Sequence, residues 1–256
     1  WMDLGGWYDR KSKEKLFLNI VDIQFVGAMG PPGGARSLIT QRYVRHFNVV
    51  NLIPFDQTGL QRIFGTIIQW FVNDKSFSNP VVRMLNLCVQ ATTQVYNKMA
   101  AEMRPTPMKS HYLFNLRDFA TVFQGILRVD PGYLDVPNKA VRLWAHECYR
   151  VFSDRLIDDN DRRWFANMIE STVPQIFEVK WKDVMSRDGE DLSEAPLPLM
   201  FGSYIDPNAE EQKYIDVGQF GRRKVELCMQ NYLEELNVSR SDGGMDIVLF
   251  QNALEH

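Results

Sequence analysis

Three arginines stand where their side chains could do chemistry. Arg42 and Arg45 lie in Gln41-Arg42-Tyr43-Val44-Arg45-His46-Phe47, which reads as a helical turn just before an apolar strand. An arginine on a short helix beside an interface can reach a phosphate held by a neighbour, worth about 10³–10⁵ in rate in the GTPase template. The plainer alternative is a surface or salt-bridging arginine. Arg117 follows Asn115, a plausible helix N-cap with Asp118 three residues on, a variant of the capping box. That would hold Arg117 in a first helical turn, able to point at an anion; otherwise Arg117 and Asp118 simply face solvent.

Other motifs carry less. Gly30-Pro31-Pro32-Gly33-Gly34-Ala35-Arg36 is glycine-rich, and such loops can cradle phosphates with their backbone N–H groups. It lacks the Lys-[Ser/Thr] of a P-loop, and G-x-x-x-x-G-K-[ST] occurs nowhere in the chain, so a structural turn is the better reading. His146-Glu147 opens like a zinc-protease helix, but position 150 is Arg where the second histidine belongs. The four histidines and the three cysteines (Cys88, Cys148, Cys228) are scattered, suggesting neither a metal site nor a disulfide framework. No Ser-His-Asp or Cys-His arrangement follows from the spacings. Trp7, Trp70, Trp164 and Trp181 are expected to be packing residues.

The elements that must position these residues change character along the chain. Asp22 to Met29 and Asn48 to Ile53 read as buried-type strands with a short helix between them, the layout of the later half of an α/β nucleotide-binding domain. From Thr58 the pattern is helical, with five successive helices expected up to residue 186. Pro80 and Pro137 each suit a first helical turn, and Asn115 and Asp161 open two others. Residues 187–217, with prolines at 196, 198 and 207, read as an extended connector. A helix then runs to about Asn237, and Met245 to Phe250 reads as one more strand. Trp1 begins inside a patterned segment, so the sequence reads as a piece of a longer chain. Leu254-Glu255-His256 fits either native helix or a vector scar.

Composition narrows the function classes. The 256 residues are 45% hydrophobic and 24% charged, ordinary globular values. A formal net charge of -3 argues against a nucleic-acid binder. No apolar run approaches the ~20 residues needed to span a bilayer, and no signal peptide is present.

Several blocks together resemble the third AAA+ module of dynein heavy chains. Trp1-Met2-Asp3 with Gly6-Trp7-Tyr8-Asp9-Arg10-Lys11 is similar to the stretch after its Walker B strand. Ala28-Met29-Gly30 and the glycine-rich turn, then Arg42-Tyr43-Val44-Arg45-His46-Phe47-Asn48, resemble its sensor I strand and arginine-finger region. Tyr112-Leu113-Phe114-Asn115-Leu116-Arg117-Asp118-Phe119 resembles its sensor II helix, and Leu143-Trp144-Ala145-His146-Glu147 the next lid helix. Met245 to His256 resembles the approach to the fourth module. The blocks cover nearly the whole chain in the expected order, and the Gly-Pro-Pro-Gly-Gly and Asn-Leu-Arg-Asp forms lean axonemal.

The resemblance implies an α/β plus all-α chain. Residues 1–57 would be the C-terminal part of a AAA+ P-loop NTPase large domain, and 58–186 a helical lid. Residues 187–217 would be the connector, and 218–256 a helix and the start of the next module. Arg45 would be an arginine finger acting in trans on nucleotide of the second module, with Arg42 the runner-up. Arg117 would be sensor II in cis, and Arg142 would support that pocket. Gly30 stands at the sensor I position, where the family's asparagine side chain is lost; this favours slow turnover or a regulatory nucleotide. The cofactor would be ATP or ADP with Mg²⁺, whose Walker A and B ligands fall before Trp1, so the piece alone should be inactive. Partners would be neighbouring AAA+ modules, other dynein chains and, through the whole motor, microtubules of the axoneme in a cilium or flagellum, with no nucleic acid and no membrane. The rival reading is a structural ring segment that transmits movement without hydrolysis.

Overall fold

The computed structural model describes residues 1–11, 13–30, 37–53, 55–186, 199–206, 212–240, 243–250 and 253–254. The glycine-rich turn beyond Gly30, most of the expected connector and the Glu255-His256 end lie outside the described residues. The chain divides into two units, Trp1–Pro54 and Phe55–His256.

In the first unit, β1 (Gly6–Tyr8) and β2 (Phe17–Asn19) pair antiparallel, with Gly6 opposite Asn19. Glycine is required at position 6, because a Cβ there would overlap the Leu18 carbonyl and the Phe17 ring. Trp1 meets Phe25 edge-on at 4.5 Å. A single helical turn, α1 (Gln41–Val44), carries Arg42 and is followed at once by Arg45.

The strands expected at 22–29, 48–53 and 245–250 are not formed among the described residues. A strand exists only through ladder hydrogen bonds to a neighbour, and these segments have none. Apart from Leu249, which packs against a small apolar cluster, their apolar side chains are largely in solvent, Val26 and Leu52 each 89% exposed.

The second unit is helical because its apolar residues recur every three or four positions. In α2 (Gln57–Asp74), Leu60, Phe64, Ile68 and Phe71 form the buried stripe, and the Asp56 carboxylate caps the helix by accepting the Gly59 N–H at 2.8 Å. Helix α3 (Asn79–Glu102) starts with Pro80 in its first turn, where the missing N–H costs nothing. Then come α4 (Leu116–Ile126), α5 (Pro137–Phe152), α6 (Asp159–Phe177) and α7 (Trp181–Met185). Phe64 stacks on Phe123 at 4.9 Å, joining α2 to α4. The buried Trp144 indole donates to Thr92 Oγ1 at 2.9 Å, and Thr92 donates to the Cys88 carbonyl at 2.7 Å, so this interior polar pair is satisfied. Trp164 and Trp181 pack against the core, whereas Trp70 is 62% exposed on the outer face of α2.

Helix α5 is the centre of the unit, packed on α3, α4 and α7. At Gly125 the space beside α4 is taken by the Glu147 side chain of α5, which Tyr214 holds in place. A Cβ on Gly125 would overlap the Glu147 carboxylate. Gly125→Ala should therefore destabilise the chain by about 1–3 kcal/mol, the usual cost of overpacking, despite alanine's better helix propensity. Denaturant unfolding would read this, and an unchanged midpoint would mean that the Glu147 carboxylate moves aside at no cost.

The described parts of the expected connector are not free of this unit. Strands β3 (Phe201–Gly202) and β4 (Ile215–Asp216) pair antiparallel, and Tyr214 bridges to Val129 at the end of α4. Leu199, Phe201 and Tyr214 are buried in the same core as α5, because each covers apolar area that the helices leave open. Helix α8 (Arg222–Ser239) buries Val225 against Met200, Val217 and Leu254, a small second cluster.

Candidate functional site

The start of α4 is built from local hydrogen bonds. The Arg117 N–H donates to Asn115 Oδ1 at 2.8 Å, and the Asn115 N–H donates to Asp118 Oδ2 at 2.8 Å, completing the expected capping box. Asp118 has a second partner that spacing could not reveal. Arg155, just past α5, donates to Asp118 Oδ1 at 2.9 Å and also to the carbonyls of His111 and Leu113. The Arg155 guanidinium lies over the Phe114 ring at 5.0 Å. The first turn of α4 is thus tied to the segment before it and to the end of α5. Arg117 sits on that turn, exposed, and its guanidinium makes no hydrogen bond or ion pair among the described residues.

Arg142 is elsewhere and otherwise employed. It is 4% exposed, and its Nε donates to Asp216 Oδ2 at 2.5 Å. Its Nη1 donates to the carbonyls of Val184 and Met185 at 3.3 and 3.4 Å. Helices α4 and α5 run antiparallel, since Asp118 meets Arg155 and Gly125 meets Glu147. At 1.5 Å per residue, Arg142 lies about 20 Å along the axes from Arg117. The expected support of Arg117's pocket by Arg142 is corrected accordingly: the chain direction of α5 carries Arg142 to the opposite end, where it clamps α7 and β4.

Two neighbours of Arg142 on α5 continue that clamp. His146 Nδ1 lies 3.0 Å from the Leu199 carbonyl, which can only accept, so Nδ1 carries the proton. Tyr214 donates its hydroxyl to Glu147 Oε1 at 2.6 Å, and the Arg128 guanidinium covers the Tyr214 ring at 4.4 Å. Burial pushes the Glu147 carboxyl up to about 7, opposed by the Tyr214 hydrogen bond and the Arg128 and Arg150 charges. Burial pulls His146 down to about 4, the Arg150 and Arg142 charges adding to it and the Leu199 hydrogen bond opposing it.

In the first unit, Arg45 Nη2 donates to Asp3 Oδ1, and Arg42 Nη2 is 4.0 Å from Asp3 Oδ2. The structure therefore brings Arg42 and Arg45 together on one carboxylate. Gly30 is partly buried and offers no side chain there. Among the described residues no group of His, Cys, Asp or Glu is arranged to hold a metal ion, and no helix is long and apolar enough to cross a membrane.

Comparison with known proteins decides the family. Residues 1–55 match the P-loop containing dynein motor region, and residues 88–185 match the AAA+ lid domain. Dynein axonemal heavy chain 3 of Homo sapiens is 39% identical over 259 residues, covering 100% of this chain and 6% of that protein. The chain belongs to the dynein heavy chains. Dynein axonemal heavy chain 1 of Mus musculus is 37% identical over 266 residues, with 100% of this chain and 6% of the relative covered. Dynein axonemal heavy chain 12 of Rattus norvegicus is 35% identical over 258 residues, covering 99% of this chain and 8% of the relative. This dynein chain thus spans 6–8% of the length of these relatives. Its lid match runs from within α3 to the end of α7, so Arg117 and the α5 side of the clamp (Arg142, His146, Glu147) lie in the lid match and their partners Leu199, Tyr214 and Asp216 lie beyond it, while Asp3 and Arg45 belong to the motor-region match. The expected α/β-plus-lid fold class is that of the chain.

Proposed function

We propose that this dynein segment is the responding part of a nucleotide-gated ring module, the back half of the third module and the start of the fourth. Arg117 is the cis sensor of phosphate on nucleotide held by that module, and Arg45 is the trans finger toward nucleotide of the neighbouring one, with Arg42 its alternate. The observation that carries the reading is Arg117 itself, an exposed cation whose backbone is fixed by a capping box and by Arg155. A fixed base with an uncommitted charge is what differential recognition of an anion requires. ATP or ADP with Mg²⁺ is the ligand this chemistry fits. The described residues supply cations for phosphate, while the Mg²⁺ ligands and the phosphate loop come from the rest of the module.

On this reading nucleotide state sets the angle between large domain, lid and next module, a rigid-body switch driven by differential contacts. The whole protein would then act in the axoneme of a cilium or flagellum, with neighbouring modules, other dynein chains and microtubules as partners. In the full-length heavy chain, Arg117→Ala should weaken nucleotide retention at its own module by about 10-fold or more, the worth of a charge-assisted hydrogen bond. Arg117→Lys should recover part of it. Unchanged occupancy in Arg117→Ala would sink the assignment. The second reading, a segment that transmits movement without hydrolysis, draws on Gly30, which leaves no side chain to orient a water.

A further inference from the structure

We infer that Asp3 is a positioning residue for Arg45, a cis seat that holds the finger within its own module and must be outcompeted before the finger acts on a neighbour's phosphate. The inference rests on the trans-finger reading of Arg45. Three groups from one short stretch converge on this single carboxylate, although 42 residues separate Asp3 from Arg45. Arg45 donates to Oδ1, His46 Nε2 lies 3.1 Å from the same oxygen, and Arg42 approaches Oδ2 at 4.0 Å. The Arg45 guanidinium, hydrogen-bonded to it, holds the Asp3 carboxyl below the usual carboxylate range.

The seat is weak in a useful way. The Arg45 and Asp3 side chains are 58% and 43% exposed, so solvent screens the pair. A terminal phosphate carries more charge than a carboxylate and presents more acceptor oxygens to the guanidinium fork. Arg45 can therefore exchange Asp3 for phosphate at small cost. Arg42, left beside Asp3, can keep its charge matched while Arg45 is away. Since Arg42 also leans on Asp3, the same carboxylate ranks the two candidate fingers, with Arg45 held more closely and Arg42 more loosely.

The test uses the full-length motor and measures steady-state ATP turnover at the neighbouring site, with that site's own contribution isolated by silencing the others. Removing the seat with Asp3→Asn should raise kcat/KM by about two- to five-fold, the range an exposed ion pair can supply. The gain should shrink as salt is raised toward ~1 M, where the pair is already screened. Asp3→Glu, which restores the carboxylate, should return the value toward wild type. In an Arg45→Ala background Asp3→Asn should change nothing. A loss of turnover in Asp3→Asn, or a gain that persists without Arg45, would overturn the seat and leave Asp3 a structural residue. If Arg45→Ala alone leaves turnover unchanged, the finger reading fails and the seat with it. If Arg45→Ala lowers turnover while Asp3→Asn is neutral, only the seat fails.

Discussion

Replacing Arg142 by alanine is expected to destabilise the chain by about 3–5 kcal/mol, the usual consequence of removing one partner of a buried charge pair. The reason is the set of groups it would abandon. Arg142 is 4% exposed and Asp216 19%, so neither charge is freely solvated. Without Arg142, Asp216 keeps its local bond from the Gly218 N–H at 3.1 Å, but its other oxygen loses a cation. The carbonyls of Val184 and Met185 lose a donor at the same time. Helix α7 and strand β4 would then lose their shared polar anchor on α5, while Tyr214, next to β4, would keep its bond to Glu147. Arg142→Lys should recover a minority of the loss, because an ammonium cannot place planar donors on three acceptors at once. Denaturant unfolding with near-ultraviolet circular dichroism would measure the cost. A loss under 1 kcal/mol would show that water reaches the pair and that the clamp contributes little.

The same residue marks the limit of what sequence could give. Arg117 and its capping box were legible because every contact involved lies within three positions, Asn115 to Asp118, where spacing is geometry. The helices were legible for the same reason, since their stripes are local periodicity. Arg142 was assigned to Arg117's pocket on the family resemblance, and nothing local says that antiparallel packing sends them to opposite ends. Arg155 went unassigned although it secures the very turn that carries Arg117, since its partner Asp118 is 37 residues away. Asp216 and Tyr214 lay in a stretch whose prolines and charges read as a connector. Their partners on α5 are 74 and 67 residues distant, and no composition signal separates a strap from a loose linker. The strand readings failed differently. Apolar runs such as Asn48 to Ile53 identify residues able to pair, but pairing needs a neighbouring strand, and among the described residues these runs have none.

His146 and Glu147 allow a sharper test, because adjacent residues of one helix should respond to pH in opposite directions. Glu147 is raised from 4.5 to about 7, so its protonated form is favoured in the folded chain. Its contribution to stability is fully present below pH 4.5 and is lost as pH rises through 7. His146 is lowered from 6.5 to about 4, so its neutral form is favoured. Its contribution is present above pH 6.5 and is lost as pH falls toward 4. At 1.36 kcal/mol per pKa unit, each amounts to about 3 kcal/mol across its window. Between pH 4.5 and 6.5 folding takes up a proton at Glu147 and excludes one at His146, so the two slopes nearly cancel. Single substitutions should expose them. Glu147→Gln keeps an acceptor for Tyr214 but cannot ionise, and its stability relative to wild type should rise by up to about 3 kcal/mol as pH goes from 4.5 to 7. His146→Gln keeps a donor for Leu199 but cannot take a proton, and its stability relative to wild type should rise as pH falls from 6.5 toward 4. Denaturation series at half-unit pH steps would separate these differences from the background of other groups, which is common to all three chains. Parallel pH profiles for wild type and Glu147→Gln would show that the carboxyl ionises as it does in water. The tie between Glu147 and the strap would then be the Tyr214 hydrogen bond with no proton linked to it, beside the Arg142–Asp216 and His146–Leu199 contacts.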